Sequence, residues 1–327
     1  MGENSKIEWT HHTFNTWWGC VKVSPACDNC YAESLSKRFG DHWGPKAEYR
    51  TFSDKHWNEP LRWNRAAEKA GERHRVFCAS MADVFDNRAP EGARERLWAL
   101  IRQTPHLDWL LLTKRPQNIA EMLPEDWGDG YPNVWLGVTV ENQKEADRRI
   151  PILLQTRAVV HFLSCEPLLG PVDLNCIEPI YNGSGEMTSF TRALPDPSAP
   201  IDKHYIHWVI VGGESGPGAR PMHPDWARSL RNQCRAAGVA FHFKQHGDWV
   251  SYDQIGANGW DFTHEHDGKR YGVISQGDFG RMERLLGGQA FETRYPWDDQ
   301  TNPCMVRVGK KNAGRLLDGV EWNEVPG

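Results

Sequence analysis

Six times along the chain a short, largely apolar run stops at a polar cluster. Val76 to Ala79 gives way to Ser80-Met81-Ala82-Asp83, Trp109 to Leu112 to Thr113-Lys114-Arg115, and Val134 to Val138 to Thr139-Val140-Glu141-Asn142. Val159 to Leu163 precedes Ser164-Cys165-Glu166, Trp208 to Val211 precedes Gly212-Gly213-Glu214-Ser215, and Ala240 to Phe243 precedes Lys244-Gln245-His246. Runs without polar alternation are the mark of strands buried on both faces, and such strands belong to parallel sheets covered by helices. Two intervening stretches supply the cover. Glu91 to Gln103 sets Ala93, Leu97, Leu100 and Ile101 at helical spacing behind Pro90, and Pro224 to Gly238 sets Trp226, Leu230 and Cys234 on one stripe before a glycine stop. With a further short strand within Thr13 to Trp18, about seven strands build either an open doubly wound sheet or a full or partial barrel. In both, reactive groups collect at the carboxyl ends of the strands, where the polar clusters stand.

The length of 327 residues accommodates one large catalytic body or two smaller modules. Residues 1–247 carry the strand and helix rhythm; 171–203, rich in Pro, Gly, Ser, Asn and Asp, reads as an exposed insertion, and 248–327 as a Gly-rich, Trp-bearing accessory segment. The 38 Lys and Arg are outweighed by 43 Asp and Glu, so no global positive field holds nucleic acid, and such a partner must be gripped locally. No run approaches the roughly 18 apolar residues that cross a bilayer, and the polar start lacks a secretion signal, so a cytoplasmic protein without a membrane partner is expected.

Three of the eight cysteines cluster: Cys20, Cys27 and Cys30, spaced C-x6-C-x2-C between the first expected strand and an expected helix. That pattern points away from a disulfide framework and toward a metal or cluster loop. Tetrahedral structural zinc wants four protein ligands, so zinc here needs a fourth donor, with His11 and His12 the nearest candidates. An iron-sulfur cubane takes three thiolates and keeps one iron open to an external ligand.

The loop Trp17-Trp18-Gly19-Cys20 through Cys27-Asp28-Asn29-Cys30-Tyr31, with the ordered strand ends Asp83, Thr113-Lys114, Thr139-Val140-Glu141 and Cys165-Glu166-Pro167, resembles the radical S-adenosylmethionine superfamily. Over about residues 8–247 it is similar to the spore photoproduct lyase branch. It looks closest to a phage-associated group with the C-x6-C-x2-C loop, which the tail around Val306 to Lys311 and Gly314 to Gly319 also resembles. The superfamily's common loop has three residues in the first gap and an aromatic before the last cysteine; here there are six, and Asn29. The resemblance implies a partial TIM-type (β/α) barrel, a 4Fe-4S cluster on the three cysteines, S-adenosylmethionine as cofactor, and a reductant protein such as a flavodoxin or ferredoxin. The implied reaction is reductive cleavage of S-adenosylmethionine to a 5'-deoxyadenosyl radical that abstracts hydrogen from substrate.

Those demands assign roles to the strand ends. Asp83 suits the cofactor's ammonium, or caps the following turn; Lys114, with Arg115 beside it, suits its carboxylate. Glu141 or Asn142 suits the ribose hydroxyls, or caps the next helix. Glu166 faces the cavity, because a carboxylate after an apolar strand needs a partner. Gly213 and Glu214, in the Gly-rich segment Val211 to Arg220, approach adenine or a phosphate, or form a plain turn. Cys165 stands at the reactive edge as a candidate hydrogen donor, while Cys78 and Cys234 read as core. His242, Lys244 and His246 alternate to one strand face. Trp17, Trp18, Trp43, Trp57 and Trp63, mixed with Lys37, Arg38, Lys46, Arg50, Lys55, Arg62 and Arg65, fit either a polynucleotide or nucleotide or a packed helical layer with solvated charges. With the resemblance to the lyase branch they imply a nucleobase in nucleic acid or a nucleotide as substrate, for repair or modification, against a small molecule or peptide. The competing class is a zinc-stabilised nucleic-acid-binding accessory protein without redox chemistry.

Overall fold

A computed structural model of the chain describes residues 2–181, 187–195, 205–251, 254, 265–266, 269–270, 293–294, 303 and 305–327. The main sheet strands are β1 (His12–Phe14), β2 (His74–Cys78), β3 (Leu107–Thr113), β4 (Val134–Thr139) and β5 (Val160–Cys165). A hairpin of β6 (Ile177–Tyr181) and β7 (Met187–Thr191) follows, then β8 (Trp208–Gly212) and β9 (Ala240–Gln245). The seven-stranded sheet runs β1-β2-β3-β4-β5-β8-β9, every neighbouring pair parallel, and curls into a half-barrel: the partial α/β barrel.

Helices α1 (Tyr31–Ser36), α2 (Asp54–Trp57), α3 (Glu59–Ala70), α4 (Ala93–Arg102), α5 (Ile119–Met122), α6 (Gln143–Leu154) and α7 (Pro224–Ala237) occupy the connections. Strand alternation divides the apolar residues between two cores. Val76, Trp109, Leu111, Leu136, Val138, Leu163, Val211, Phe241 and Phe243 join Trp63, Leu97, Ile101, Ile150 and Leu230 in the helix-side core. On the concave face Phe77, Leu110, Trp135, Phe162, Trp208 and Ile210 pack with Trp9. Gly137 belongs there because a Cβ would come within 2.5 Å of the Phe162 ring.

The first strand is earlier and shorter than expected. It ends at Phe14 because the next residue pairs through its side chain: Asn15 accepts from Met81 N at 2.7 Å and donates to Ser80 Oγ at 3.1 Å. α4 starts at Ala93, since Gly92 before it is left-handed at φ 72°. α7 ends as its sequence suggests, with Gly238 left-handed at φ 67°. In residues 171–203 the feet of the hairpin, Val172, Leu174, Ile177, Ala193 and Leu194, are buried in the helix-side core.

β10 (Trp249–Ser251) pairs antiparallel with Met305–Arg307, and the chain then returns along β9. Phe243 N donates to Trp322 O at 2.9 Å, Glu324 N to Phe241 O at 3.3 Å, and Trp208 Nε1 to Glu324 O at 2.8 Å. Arg228 and Arg231 hold Asp318 at 2.8 and 2.6 Å. At the opposite side Thr13 N donates to Gly2 O at 3.0 Å. No helix among the described residues is long and apolar enough to cross a membrane.

Candidate active site at the carboxyl ends of the strands

The cysteine loop lies over the carboxyl ends of the sheet. A short 3-10 turn, Pro25–Cys27, sits inside the long first gap. All three cysteines are free thiols, Cys27 buried and Cys20 and Cys30 half-buried. Three charged networks, each rooted in a different strand end, fix the loop.

The first comes from the end of β3. Arg115 donates from Nη2 to Val21 O at 2.8 Å and from Nη1 to Cys20 Sγ at 3.6 Å and Asp83 Oδ2 at 2.9 Å. Asp83 is in turn saturated, accepting from Thr113 Oγ1 at 2.7 Å, Phe85 N at 3.0 Å and Lys114 N at 3.1 Å. Burial, joined by Asp83, pushes the Cys20 thiol up to about 12 against the opposing pull of Arg115.

The second comes from β4. Glu141 accepts from Ala26 N at 3.3 Å inside the 3-10 turn and pairs with Arg149 of α6 at 2.8 Å, both side chains wholly buried. Arg149 also reaches Thr139 O at 2.7 Å and Glu145 at 2.8 Å, so the buried charges are paired, although its Nε has no hydrogen-bond partner among the described residues. The third comes from β8. Glu214 accepts from Asn29 Nδ2 at 3.0 Å and from Arg220 Nε at 2.9 Å, and Arg220 Nη2 continues to Pro25 O at 2.9 Å. Although burial pushes the Glu214 carboxyl up, hydrogen bonds from Arg220 and Asn29 hold it below its ordinary value.

These contacts redistribute the roles read from sequence. Asp83 caps its turn and anchors Arg115, so its oxygens are taken. Arg115, rather than Lys114, touches the cysteine loop; Lys114 is half-buried beside it. Glu141 supports the loop from below, and Asn142 caps α6, accepting from Glu145 N at 3.1 Å. Gly213 is glycine because a Cβ would fall 1.8 Å from the His246 carbonyl, which is close backbone packing rather than a ligand cradle. Cys165 does not reach the site. Alternation sends Ser164 and Glu166 to the concave face and Cys165 into the helix-side core, where burial raises its thiol well above its ordinary value.

Glu166 faces the concavity and meets Lys244 at 2.8 Å; Gly212 leaves room for it, since a Cβ there would lie 2.6 Å from its Oε1. His242 shares the concave face with Lys244, whereas His246 hydrogen-bonds Leu316 O at 2.8 Å in the returning tail. Of the tryptophans near the loop, Trp17, Trp57 and Trp63 are core, while half-buried Trp18 carries the Arg50 guanidinium 4.8 Å from its ring centre. Phe39 and Tyr31 are exposed close by.

His11 and His12 stand at the amino edge of the sheet, His12 as the first residue of β1 and His11 just before it. His12 Nε2 lies 3.1 Å from His74 Nδ1, and its ring stacks on Trp63. They are not donors for the loop. Among the described residues no three His, Cys, Asp or Glu side chains gather to hold a single ion. Tetrahedral zinc, with Zn–S of about 2.3 Å, demands that convergence. A cubane binds each thiolate to its own iron, so three free thiols spread along one loop fit it better.

The model of a family described as "Protein of unknown function (DUF5131)" matches residues 4–326. No curated protein matches. Among solved structures, a spore photoproduct lyase mutant with bound AdoMet and dinucleoside spore photoproduct is similar at 10% identity, over 94% of this chain and 73% of that one, with a TM-score of 0.39. Another mutant of that enzyme is similar at 12% identity, over 94% and 71%, with a TM-score of 0.40. Likeness at that distance carries no argument about the chemistry of this chain.

Proposed function

The chain belongs to the DUF5131 family, and we propose that it is a radical S-adenosylmethionine enzyme acting on a nucleobase, in nucleic acid or as a nucleotide. One observation carries the reading: three free thiols on a single loop, held over the mouth of a parallel half-barrel by networks from three strand ends. Cys20, Cys27 and Cys30 would hold a 4Fe-4S cluster, which supplies the electron that cleaves the sulfonium bond of S-adenosylmethionine and frees a hydrogen-abstracting 5'-deoxyadenosyl group.

The chain's own residues do the rest. Arg115 donates to Cys20 and fixes its orientation, as outer-sphere donors do for metal ligands. Asp83 keeps Arg115 in place. Glu214 and Arg220 hold the far side of the loop through Asn29 and Pro25. Lys114, half-buried at the mouth, is the cation for the cofactor's carboxylate, and the Glu166–Lys244 pair offers polar groups on the facing wall. The aromatic concave core beneath excludes water from the reacting atoms. Trp18 under Arg50, with exposed Phe39 and Tyr31, supports a base-bearing substrate, since aromatic faces stack on bases while cations meet phosphates. Delivery of the electron calls for a reductant protein such as a flavodoxin or ferredoxin.

Anaerobic purification tests this. The expected protein is brown, carries about four irons and four sulfides per chain, and releases 5'-deoxyadenosine on reduction with S-adenosylmethionine. Cys27→Ala abolishes the release. A colourless protein with one zinc per chain sinks the proposal and restores the accessory-protein class.

A further inference from the structure

The concave wall carries a feature that the cofactor chemistry does not use. Thr139, Ser164, Ile210 and His242 lie in register across β4, β5, β8 and β9. Their neighbours Val138, Leu163, Cys165, Phe241 and Phe243 are in the helix-side core, so Thr139, Ser164 and His242 point to the concave side as one polar rung. The step below is Gly137, Phe162 and Trp208, a floor of two aromatic rings. The step above is the Glu166–Lys244 pair.

The rung is deep, with Thr139, Ser164 and His242 at 0%, 3% and 2% exposure, and its hydrogen bonding is incomplete. Thr139 Oγ1 and both ring nitrogens of His242 are buried without a partner among the described residues. A buried polar group left unpaired costs free energy, and three such atoms on one rung of the concave face, with apolar Ile210 between Ser164 and His242, mark a place where something else supplies the partners.

We infer that this rung is the binding site for the base of the substrate: a flat, uncharged nitrogen heterocycle lying over Phe162 and Trp208 and hydrogen-bonded at its edge by Thr139 and His242. Charge decides against a phosphate there. Glu166 cancels Lys244, and burial, with Arg315, Lys244 and Arg75, holds His242 down at about 4 and therefore neutral at pH 7. Arg315 is committed to Asn323, and Arg75 to the Trp9 carbonyl. A neutral imidazole offers one donor and one acceptor, and a hydroxyl offers both, which matches the mixed edge of a base. The inference names the substrate class of the reading above and rests on it for the reaction, not for the binding.

The test is calorimetric titration of the full, cluster-loaded chain with free nucleosides, without reductant and with saturating S-adenosylmethionine. At least one nucleoside should bind and ribose 5-phosphate should not. Thr139→Val and His242→Gln should each weaken binding roughly tenfold, the loss of one hydrogen bond. Removing an unpaired hydroxyl should leave the melting midpoint of ligand-free Thr139→Val unchanged or raised, whereas a structural hydroxyl would lower it. Binding to no nucleoside, displacement of the nucleoside by S-adenosylmethionine, affinity untouched in both variants, or a lowered Thr139→Val midpoint each overturns the site. Release of 5'-deoxyadenosine without nucleoside binding rejects the rung alone; nucleoside binding without that release rejects the radical reading alone.

Discussion

The two edges of the main sheet hold comparable numbers of polar side chains and use them in opposite ways. At the carboxyl edge Arg115, Glu141 and Glu214 all converge on one loop, and each serves at least two partners. At the amino edge His11, His12 and His74 stack on one another and on Trp63, and burial pushes His12 down to about 4. At one edge the charged groups reach over to position a separate loop; at the other His12 packs against Trp63, and the charges, such as the Arg73–Asp108 pair at 2.6 Å, link neighbouring strand ends. Polarity at a strand end is therefore not a site. Convergence of independent networks on one segment is what sets the candidate site apart.

The largest effect that could break the contrast is at the cysteines: alanine at Cys20, Cys27 or Cys30 should each remove cluster absorbance and 5'-deoxyadenosine release, and full release from any one of them refutes the ligand set. Next is the buried pair. Arg149→Met strands the Glu141 carboxylate and should cost about 3–5 kcal/mol in urea unfolding, while Glu141→Gln combined with Arg149→Met should recover much of that loss. A fall no greater in the single variant than in the double one would mean that the two groups act separately.

The amino edge predicts a pH effect. His12 has a folded value of about 4 against an ordinary 6.5, so the unfolded chain binds the extra proton first and stability is lost as pH falls from about 6.5 toward 4. Unfolding at pH 5 should show up to about 2 kcal/mol less stability than at pH 7 from this group, a difference that His12→Gln should erase. A smaller change is expected at the loop's far clamp. Arg220 is partly exposed, so Arg220→Ala should leave global stability nearly unchanged yet speed iron loss to a chelator roughly tenfold. Equal rates of loss would show that the loop holds its shape without Glu214 and Arg220.

The strands of the half-barrel were legible because full burial writes itself into composition: runs such as Trp109–Leu112 and Trp208–Val211 have no polar residue to interrupt them. Six runs expected from that rule overlie six strands. The site was legible only in part. The spacing brought forward the cysteines, and the polar clusters marked the edge over which their loop lies, but which partner each side chain takes depends on approach angles between segments far apart in sequence. Asp83 was compatible with a free ammonium or a turn, and the turn holds it. Lys114 and Arg115 differ by one position, and only the second is directed at Val21 and Cys20. Arg149 carried a signal that was passed over, a cation on the apolar stripe of α6 beside Ile150 and Leu153. Cys165 could have been excluded by counting alternation from Phe162. Lys244 was grouped with His242 on one strand face, but its partner Glu166 lies in a segment 78 residues earlier, a pairing no local pattern contains.

The outer strands are each lined by a segment outside the sheet's own strands, residues near Gly2 against β1 and residues near Glu324 against β9. Those backbone groups are thus already spent, and a second molecule cannot extend the array by strand addition at the positions they cover. At those positions the chain itself occupies the pairing groups, so no second backbone can take them.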